Sequence, residues 1–155
     1  MKLIFDIFNN REIIENSYVA IGNFDGLHIG HKILIKKAVN AAKEKGGVSV
    51  VFTFLDHPKN KNNDSGIPKT ITTMDEKIYI FEKLGVDYIV FQPFSEEFCT
   101  LSGEEFVKDI IKEKLGTKGI FVGFNFRFGK HQSNGINELK EYCDNLNELK
   151  TITIE

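Results

Sequence analysis

Short apolar stretches alternate with amphipathic segments along almost the whole chain. The apolar stretches are rich in valine, isoleucine and phenylalanine, and they predict five strands, at 18–23, 48–54, 87–91, 120–122 and 149–154. Strands that are apolar throughout indicate a parallel sheet that is covered by helices on both faces. The opening residues 3–8 fit either an edge strand or a cover over the sheet, and the sequence leaves both possibilities open.

Between the predicted strands, apolar residues recur every three or four positions, as in amphipathic helices. Glycines near 46, 85 and 116 end three of these segments, and a fourth helix is predicted over 137–146. Two helix starts carry a capping-box sequence, Thr73 to Glu76 and Ser102 to Glu105. The polar residues 56–70 predict a long mobile loop, and loops of that length are more often functional than idle.

Length and composition restrict the class of protein. The chain has 155 residues, which is enough for one domain, and its 41% hydrophobic content is typical of a globular fold. A net charge of -2 without a basic face argues against a nucleic-acid binder. Cys99 and Cys143 have no metal-ligand spacing and indicate a reducing compartment. No apolar run approaches the roughly 20 residues of a membrane span, so we expect a cytoplasmic protein without a membrane partner.

His28 and His31 lie three residues apart at the predicted start of the first helix. A helix N-terminus carries about half a unit of positive charge, and Gly26 and Gly30 would let a phosphate approach the backbone. Imidazole donors could then stabilise charge on phosphoryl oxygens during transfer. The alternative is that one histidine caps the turn and the other lies on the surface. Zinc is disfavoured because no cysteine or third histidine has ligand spacing nearby, and we assign no metal site.

The segment 121–130 places four phenylalanines beside Asn125 and Arg127, directly after the fourth strand. We interpret Phe121 as a core residue. For Phe126 and Phe128, core packing and a platform for a flat aromatic ligand both remain open. Arg127 would contact a phosphate or form a surface ion pair.

The second strand ends at the same predicted edge of the sheet with the sequence Thr-Phe-Leu-Asp-His-Pro at 53–58. His57 is interpreted as a wall of the site or as an anchor for the loop that follows. Pro58 would stiffen the first part of that loop.

These segments together resemble one known family over nearly the whole chain. The motifs that carry the resemblance are Gly-Asn-Phe-Asp-Gly-Leu-His-Ile-Gly-His at 22–31, Thr-Phe at 53–54 with His-Pro at 57–58, Thr-Thr at 72–73 with Glu-Lys at 76–77, Pro-Phe-Ser-Glu-Glu-Phe at 93–98, Glu-Phe-Val at 105–107 and Val-Gly-Phe-Asn-Phe-Arg-Phe-Gly at 122–129. The chain is similar to the FAD synthetase family, specifically to the FMN adenylyltransferase module of bifunctional riboflavin kinase/FAD synthetases. The resemblance implies a Rossmann-like nucleotidyltransferase fold.

The resemblance also implies a reaction, in which ATP and FMN give FAD and pyrophosphate with Mg²⁺ accompanying ATP. It implies that His28 and His31 are catalytic and hold the ATP phosphates. The implied ATP-binding residues are Gly22, Asn23, Phe24, Gly26, Gly30, Gly123 and Arg127. The implied FMN-binding residues are Phe54, His57, Pro58, Asn125, Phe126 and Phe128.

The chain departs from the family pattern at three points. Leu55 and Asp56 stand where the family has Asp-Pro. A second signature, Ser-Thr followed by an arginine that holds the ATP phosphates, is absent from the 155 residues, as is the riboflavin kinase domain that usually follows. We therefore expect a truncated form in which residues 1–155 are one adenylyltransferase domain. The alternatives are a catalytically silent nucleotide or flavin binding module and an adenylyl- or cytidylyltransferase for another small phosphate.

Overall fold

A computed structural model of the protein describes residues 1–55 and 73–146, together with the backbone of 150–154. The loop predicted over 56–70 lies outside the described residues, and so do His57 and Pro58. The described strands form one six-stranded sheet in which every neighbouring pair is parallel. Its order is β1-β4-β3-β2-β5-β6, where β1 is Lys2–Phe5, β2 is Ser17–Ile21, β3 is Val48–Phe54, β4 is Tyr88–Gln92, β5 is Thr117–Gly123 and β6 is Lys150–Ile154.

The helices follow the strands as the sequence predicts. In chain order they are α1 (Ile29–Lys45), α2 (Met74–Leu84), the short α3 (Glu96–Cys99), the single turn α4 (Gly103–Glu105), a π-helix (Phe106–Lys114) and α5 (Ile136–Asn145). Short 3-10 turns cover Ile7–Asn9 and Lys130–Gln132. The alternation of strands and helices confirms the predicted Rossmann-like α/β fold.

The helix termini show why these segments stop where they do. α1 ends at Gly46, whose φ of 70° lies in the left-handed region that glycine adopts without steric cost. At the second predicted capping box, Ser102 Oγ accepts a hydrogen bond from the Glu105 amide and the Glu105 carboxylate accepts one from the Ser102 amide, both at 3.0 Å. Hydrogen bonding from the Ser102 amide, and secondly from the Ser102 side chain, holds the pKa of Glu105 below its ordinary value, because the charged carboxylate is the better acceptor.

Two features differ from, or go beyond, the sequence prediction. The opening residues pair in parallel with β4, so Lys2–Phe5 is an edge strand and the sheet has a sixth member. The segment Phe106–Lys114, whose apolar spacing predicts an α-helix, is π-helical instead. Its buried face is the predicted one, because a pattern of apolar residues locates a face without specifying i→i+4 or i→i+5 bonding.

Buried residues form one core on each face of the sheet, because successive strand side chains point to opposite sides. On one face, Val19 and Phe52 pack under the π-helix and α5. On the other face, Ala20 and Phe91 pack under α1 and α2. The chain leaves β2 for β3 on one side and later returns to β5 on the other. The carboxyl ends of β2 and β5 therefore form the crevice where ligands bind in folds of this type.

Candidate active site

The turn after β2 places three residues in the left-handed backbone region. Phe24 has a φ of 53°, Gly26 of 77° and Leu27 of 38°. Only glycine adopts such angles readily, and the side chains of Phe24 and Leu27 are 2% and 4% exposed. Burial of these two apolar side chains therefore holds the turn in an unfavourable backbone conformation, a situation that is common at functional sites.

The turn delivers two histidines to the first turn of α1. His28 is the N-cap residue, yet its side chain makes no capping hydrogen bond. The imidazoles of His28 and His31 stack with ring centroids 3.7 Å apart and an interplanar angle of 27°. The Phe24 ring meets His31 edge-on at 5.5 Å. The alternative in which one histidine caps the turn therefore finds no side-chain bond at the N-cap residue, and the two rings stack on each other instead.

The surroundings of the half-buried His31 ring favour its neutral form. Its Nδ1 is buried and has no hydrogen-bond partner among the described residues. Burial lowers the pKa of His31, and neighbouring His28 lowers it further; Lys77 acts in the same direction and Asp25 in the opposite one. An anion placed against the pair would favour the protonated ring, because opposite charge raises the pKa of a histidine.

A pocket of about 970 Å³ opens between the carboxyl ends of β2 and β5. Ten of the residues singled out from the sequence line it: Gly22, Asn23, Phe24, His31, Phe54, Gly123, Asn125, Phe126, Arg127 and Phe128. Three others, His28, Gly26 and Gly30, lie in the turn and in α1 but do not line the pocket among the described residues. His28 therefore borders the pocket only through its stack on His31.

One side of the pocket is a wall of aromatic rings. Phe54 and Phe94 stack at 5.1 Å, and Phe98 packs against both rings. Phe126 and Phe128 stack at 5.6 Å with an interplanar angle of 10°. Phe94 and Phe98 have no role in the sequence analysis beyond the motif that contains them. The signal that could have assigned them is their position directly after β4, at the same edge of the sheet.

The segment after β5 is held in place by its own backbone and by one asparagine. Phe128 and Asn134 form an antiparallel bridge through N to O bonds of 3.0 and 3.2 Å. The side chain of buried Asn134 donates to the Phe128 carbonyl and accepts from the Tyr142 hydroxyl. A Cβ on Gly129, whose φ is 78°, would lie 2.7 Å from the Gly103 amide nitrogen, so that position requires glycine.

The structure decides between the alternatives for the aromatic residues of this segment. Phe121 is buried in the core as predicted, and Phe128 is only 5% exposed. Phe126 is half-buried and stacks on Phe128 at the pocket wall. Phe126 is therefore the more accessible ring of the pair, and Phe128 supports it from the core.

Arg127 forms no ion pair within the described part of the chain. Its Nε donates to the Gln132 carbonyl at 3.1 Å, and the exposed side chain lines the pocket. His131 and Gln132, which the sequence analysis did not single out, also line the pocket and have positive φ values of 58° and 52°.

The described residues contain neither a cluster of possible metal ligands nor a membrane-spanning helix. In the ranges 1–55 and 73–146, no three His, Cys, Asp or Glu side chains lie close enough to hold a metal ion. No helix in the same ranges is long and apolar enough to span a bilayer.

Comparison with known proteins assigns the chain to a family. The sequence profile of the FAD synthetase family matches residues 10–154. The bifunctional riboflavin kinase/FMN adenylyltransferase of Buchnera aphidicola from Schizaphis graminum is 39% identical over 141 residues, or 91% of this chain and 45% of the relative. The chain thus spans less than half the length of the curated relatives it matches.

Solved structures confirm the fold. A crystal structure of a macrolide-efflux protein from Streptococcus pneumoniae is similar with a TM-score of 0.82 and 27% identity, over all of this chain and 58% of that one. A pantoate-beta-alanine ligase from Francisella tularensis shares the fold with a TM-score of 0.59 and 19% identity, over 99% of this chain and 66% of that one. The match over residues 10–154 shows that the chain belongs to the FAD synthetase family.

Proposed function

We propose that the protein is an FMN adenylyltransferase, which transfers AMP from ATP to FMN. A phosphate oxygen of FMN attacks the α-phosphorus of ATP, the bond from that phosphorus to the bridging oxygen breaks, and pyrophosphate leaves. The observation that carries the proposal is one pocket with two chemically different sides: the histidine turn after β2, and the aromatic wall formed by rings at the ends of β3 and β4 and after β5. The family assignment agrees with this chemistry.

The histidine side suits the triphosphate of ATP. His31 lines the pocket at the start of a 17-residue helix, where the backbone dipole favours negative charge. Because burial lowers the pKa of His31 and a bound anion would raise it, the ring can gain a proton beside the substrate and stabilise charge that develops on the leaving pyrophosphate. Gly22 and Asn23 would complete the nucleotide side of the pocket, with His28 acting through its stack on His31.

The aromatic side suits the flavin ring. Phe54, Phe94 and Phe126 present ring surface to the pocket, and a flat aromatic ligand would stack there as aromatic side chains do on one another. Asn125 is exposed beside them and carries both a donor and an acceptor. Arg127 lies next along the chain and could contact the FMN or ATP phosphates.

The reaction requires no protein nucleophile. An FMN phosphate is largely ionised at neutral pH, because its second pKa is about 6. Catalysis would then come mainly from positioning of the two substrates and from stabilisation of charge. Mg²⁺ would enter bound to the ATP phosphates, since it is commonly held by substrate phosphates and one or two carboxylates. Asp25 is a pocket-lining carboxylate on the histidine side.

Titration of the full chain with each substrate tests the proposal. We expect Mg-ATP and FMN each to bind in calorimetry, and FAD to appear by chromatography when both are present. Binding of both without FAD would favour the silent binding module, and FAD formation would exclude it. Absence of heat with either ligand at millimolar concentration would overturn the proposal. CTP in place of ATP, and a non-flavin phosphate in place of FMN, test the other nucleotidyltransferase alternative.

The similar bifunctional enzymes combine an FMN adenylyltransferase with a riboflavin kinase. A riboflavin kinase domain, in the same or another chain, would therefore supply the second substrate. Small molecules remain the only partners that we propose.

A further inference from the structure

Lys77 is a buried lysine that the proposed reaction does not use. It lies on α2, and its side chain is 7% exposed. Lysine is rarely buried unless its charge is paired, because removing an ammonium group from water is costly. The acceptors that surround its Nζ should therefore indicate why the lysine is retained at this position.

Both acceptors of Lys77 belong to the turn after β2. Its Nζ donates to the Asn23 carbonyl at 2.9 Å and to the Asp25 carboxylate at 3.3 Å. The Thr53 hydroxyl donates to the same Asn23 carbonyl at 3.1 Å. The partners lie 54 and 52 residues from Lys77 in sequence, so the contact is purely tertiary. The Lys77 side chain thus holds the backbone carbonyl of the residue before Phe24 and the carboxylate of the residue after it.

A second contact from α2 reaches the residue between these two partners. Phe81, one helical turn after Lys77, meets the Phe24 ring edge-on at 6.0 Å. The Phe24 ring in turn meets His31 edge-on at 5.5 Å. A continuous set of contacts therefore runs from α2 through the turn to the imidazole that lines the pocket.

We propose that Lys77 is a positioning residue, which holds the turn 23–25 so that Phe24 fixes the His31 imidazole against the triphosphate of the nucleotide. This inference rests on the proposed function for the identity of the ligand. The left-handed φ of Phe24 explains why these contacts of Lys77 are needed. Without them, residues 23–25 would relax toward a more favourable backbone conformation. Lys77 acts through the turn and does not itself line the pocket.

The test compares Lys77→Met, which keeps the length and removes the charge, with Lys77→Arg, which keeps the charge. Lys83→Met is the matched control, because it removes the same charge from an exposed position of the same helix. We expect Lys77→Met to weaken ATP binding by about 10²-fold, as misplaced binding groups do, and to leave the FMN dissociation constant unchanged. Lys77→Arg should recover most of the ATP affinity, and Lys83→Met should behave as the wild type.

A readout without ligand separates this inference from the proposed function. The His31 imidazole can be titrated by NMR in the free protein, where His28, Asp25 and Lys77 are the titratable neighbours. Loss of Lys77 should raise the pKa of His31, because the cation that lowers it is gone while Asp25 remains. Asp25→Asn should shift the pKa of His31 in the opposite direction, and it provides the test if Lys77→Met does not fold.

The possible outcomes distinguish a failure of the positioning role from a failure of the proposed function. A His31 titration that is unchanged in both Lys77→Met and Asp25→Asn would overturn the positioning role, whether or not ATP binds. Equal loss of ATP and FMN affinity in Lys77→Met would also overturn it, because a general loss of stability predicts that result. If the wild type fails to bind ATP, the proposed function fails. Opposite shifts in the pKa of His31 in Lys77→Met and Asp25→Asn would still support the positioning role of Lys77.

Discussion

The two segments that border the pocket are built in different ways. The turn after β2 is short, carries left-handed residues and is held from outside by Lys77 and Phe81 of α2. The segment after β5 is held by its own bridge between Phe128 and Asn134. The first segment exposes a histidine whose charge state responds to its surroundings, and the second presents apolar rings that do not titrate.

Because of this difference, substitutions in the two segments should affect ligand binding and folding stability to different extents. In the turn after β2, polar contacts orient a half-buried ring, so substitutions at that ring should affect ligands more than folding. In the segment after β5, the supporting ring of Phe128 belongs to the core, so its loss should affect folding first. Four substitutions or conditions test this contrast.

Phe128→Ala should have the largest effect, a loss of about 3–5 kcal/mol in the free energy of unfolding, because it leaves a cavity beside Phe106, Phe126 and Tyr142. Urea denaturation measures this. The control is Phe124→Ala in the same segment, where the ring is 64% exposed and the loss should stay below about 0.5 kcal/mol. Similar losses for the two variants would contradict the contrast.

His31→Ala should reduce the rate of FAD formation by about 10²–10³-fold, the usual cost of removing one group that stabilises transition-state charge. It should also weaken ATP binding and change the melting temperature little, because the ring is only half-buried. The control is His131→Ala, an exposed histidine at the other side of the pocket. A large drop in melting temperature for His31→Ala would show that the ring is structural.

Asn125→Ala should weaken FMN binding by about tenfold, which corresponds to one hydrogen bond of roughly 1.4 kcal/mol, and should leave ATP binding almost unchanged. Calorimetry with each ligand measures the ratio. Asn137→Ala, at an exposed asparagine on α5, serves as the control. An equal loss for both ligands would remove the assignment of Asn125 to the flavin side.

The pH dependence of stability should show the smallest effect. Because burial lowers the pKa of His31 in the folded protein, the unfolded chain binds more protons between that lowered pKa and the unfolded value of 6.5. The contribution of His31 is therefore complete above pH 6.5 and is lost as the pH falls through its folded pKa. Urea denaturation at several pH values should show a slope that His31→Ala reduces and His131→Ala retains.

Local patterns in the sequence were sufficient to predict most of the fold. Apolar runs predicted five of the six strands, and the glycine at 46 and the capping box at 102–105 predicted where helices end and begin. These signals depend on backbone conformation and on side chains within a few positions, so they can be read without knowing the neighbours. The edge position of β1 could not be predicted, because only pairing with β4 distinguishes a strand from a cover.

The pocket was predicted less completely. The motifs at 22–31, 53–54 and 122–129 identified ten residues that line it, since all three lie where strands end at the same edge of the sheet. The motifs did not show that Phe128 is buried beneath the more accessible Phe126. They also did not show that His28, Gly26 and Gly30 are not among the residues that line the pocket. Which side of a turn faces a cavity depends on backbone angles that residue spacing does not specify.

Lys77 shows the limit most clearly. A lysine in an amphipathic helix is expected to face solvent, and nothing within several residues of it indicates otherwise. Only the tertiary packing that places α2 against α1 brings its charge to Asn23 and Asp25. Short-range periodicity thus accounts for the layered fold and for the residue types available to the site. Burial and long-range electrostatics depend on the assembled chain, and they set the orientation of His31 and the direction of its pKa shift.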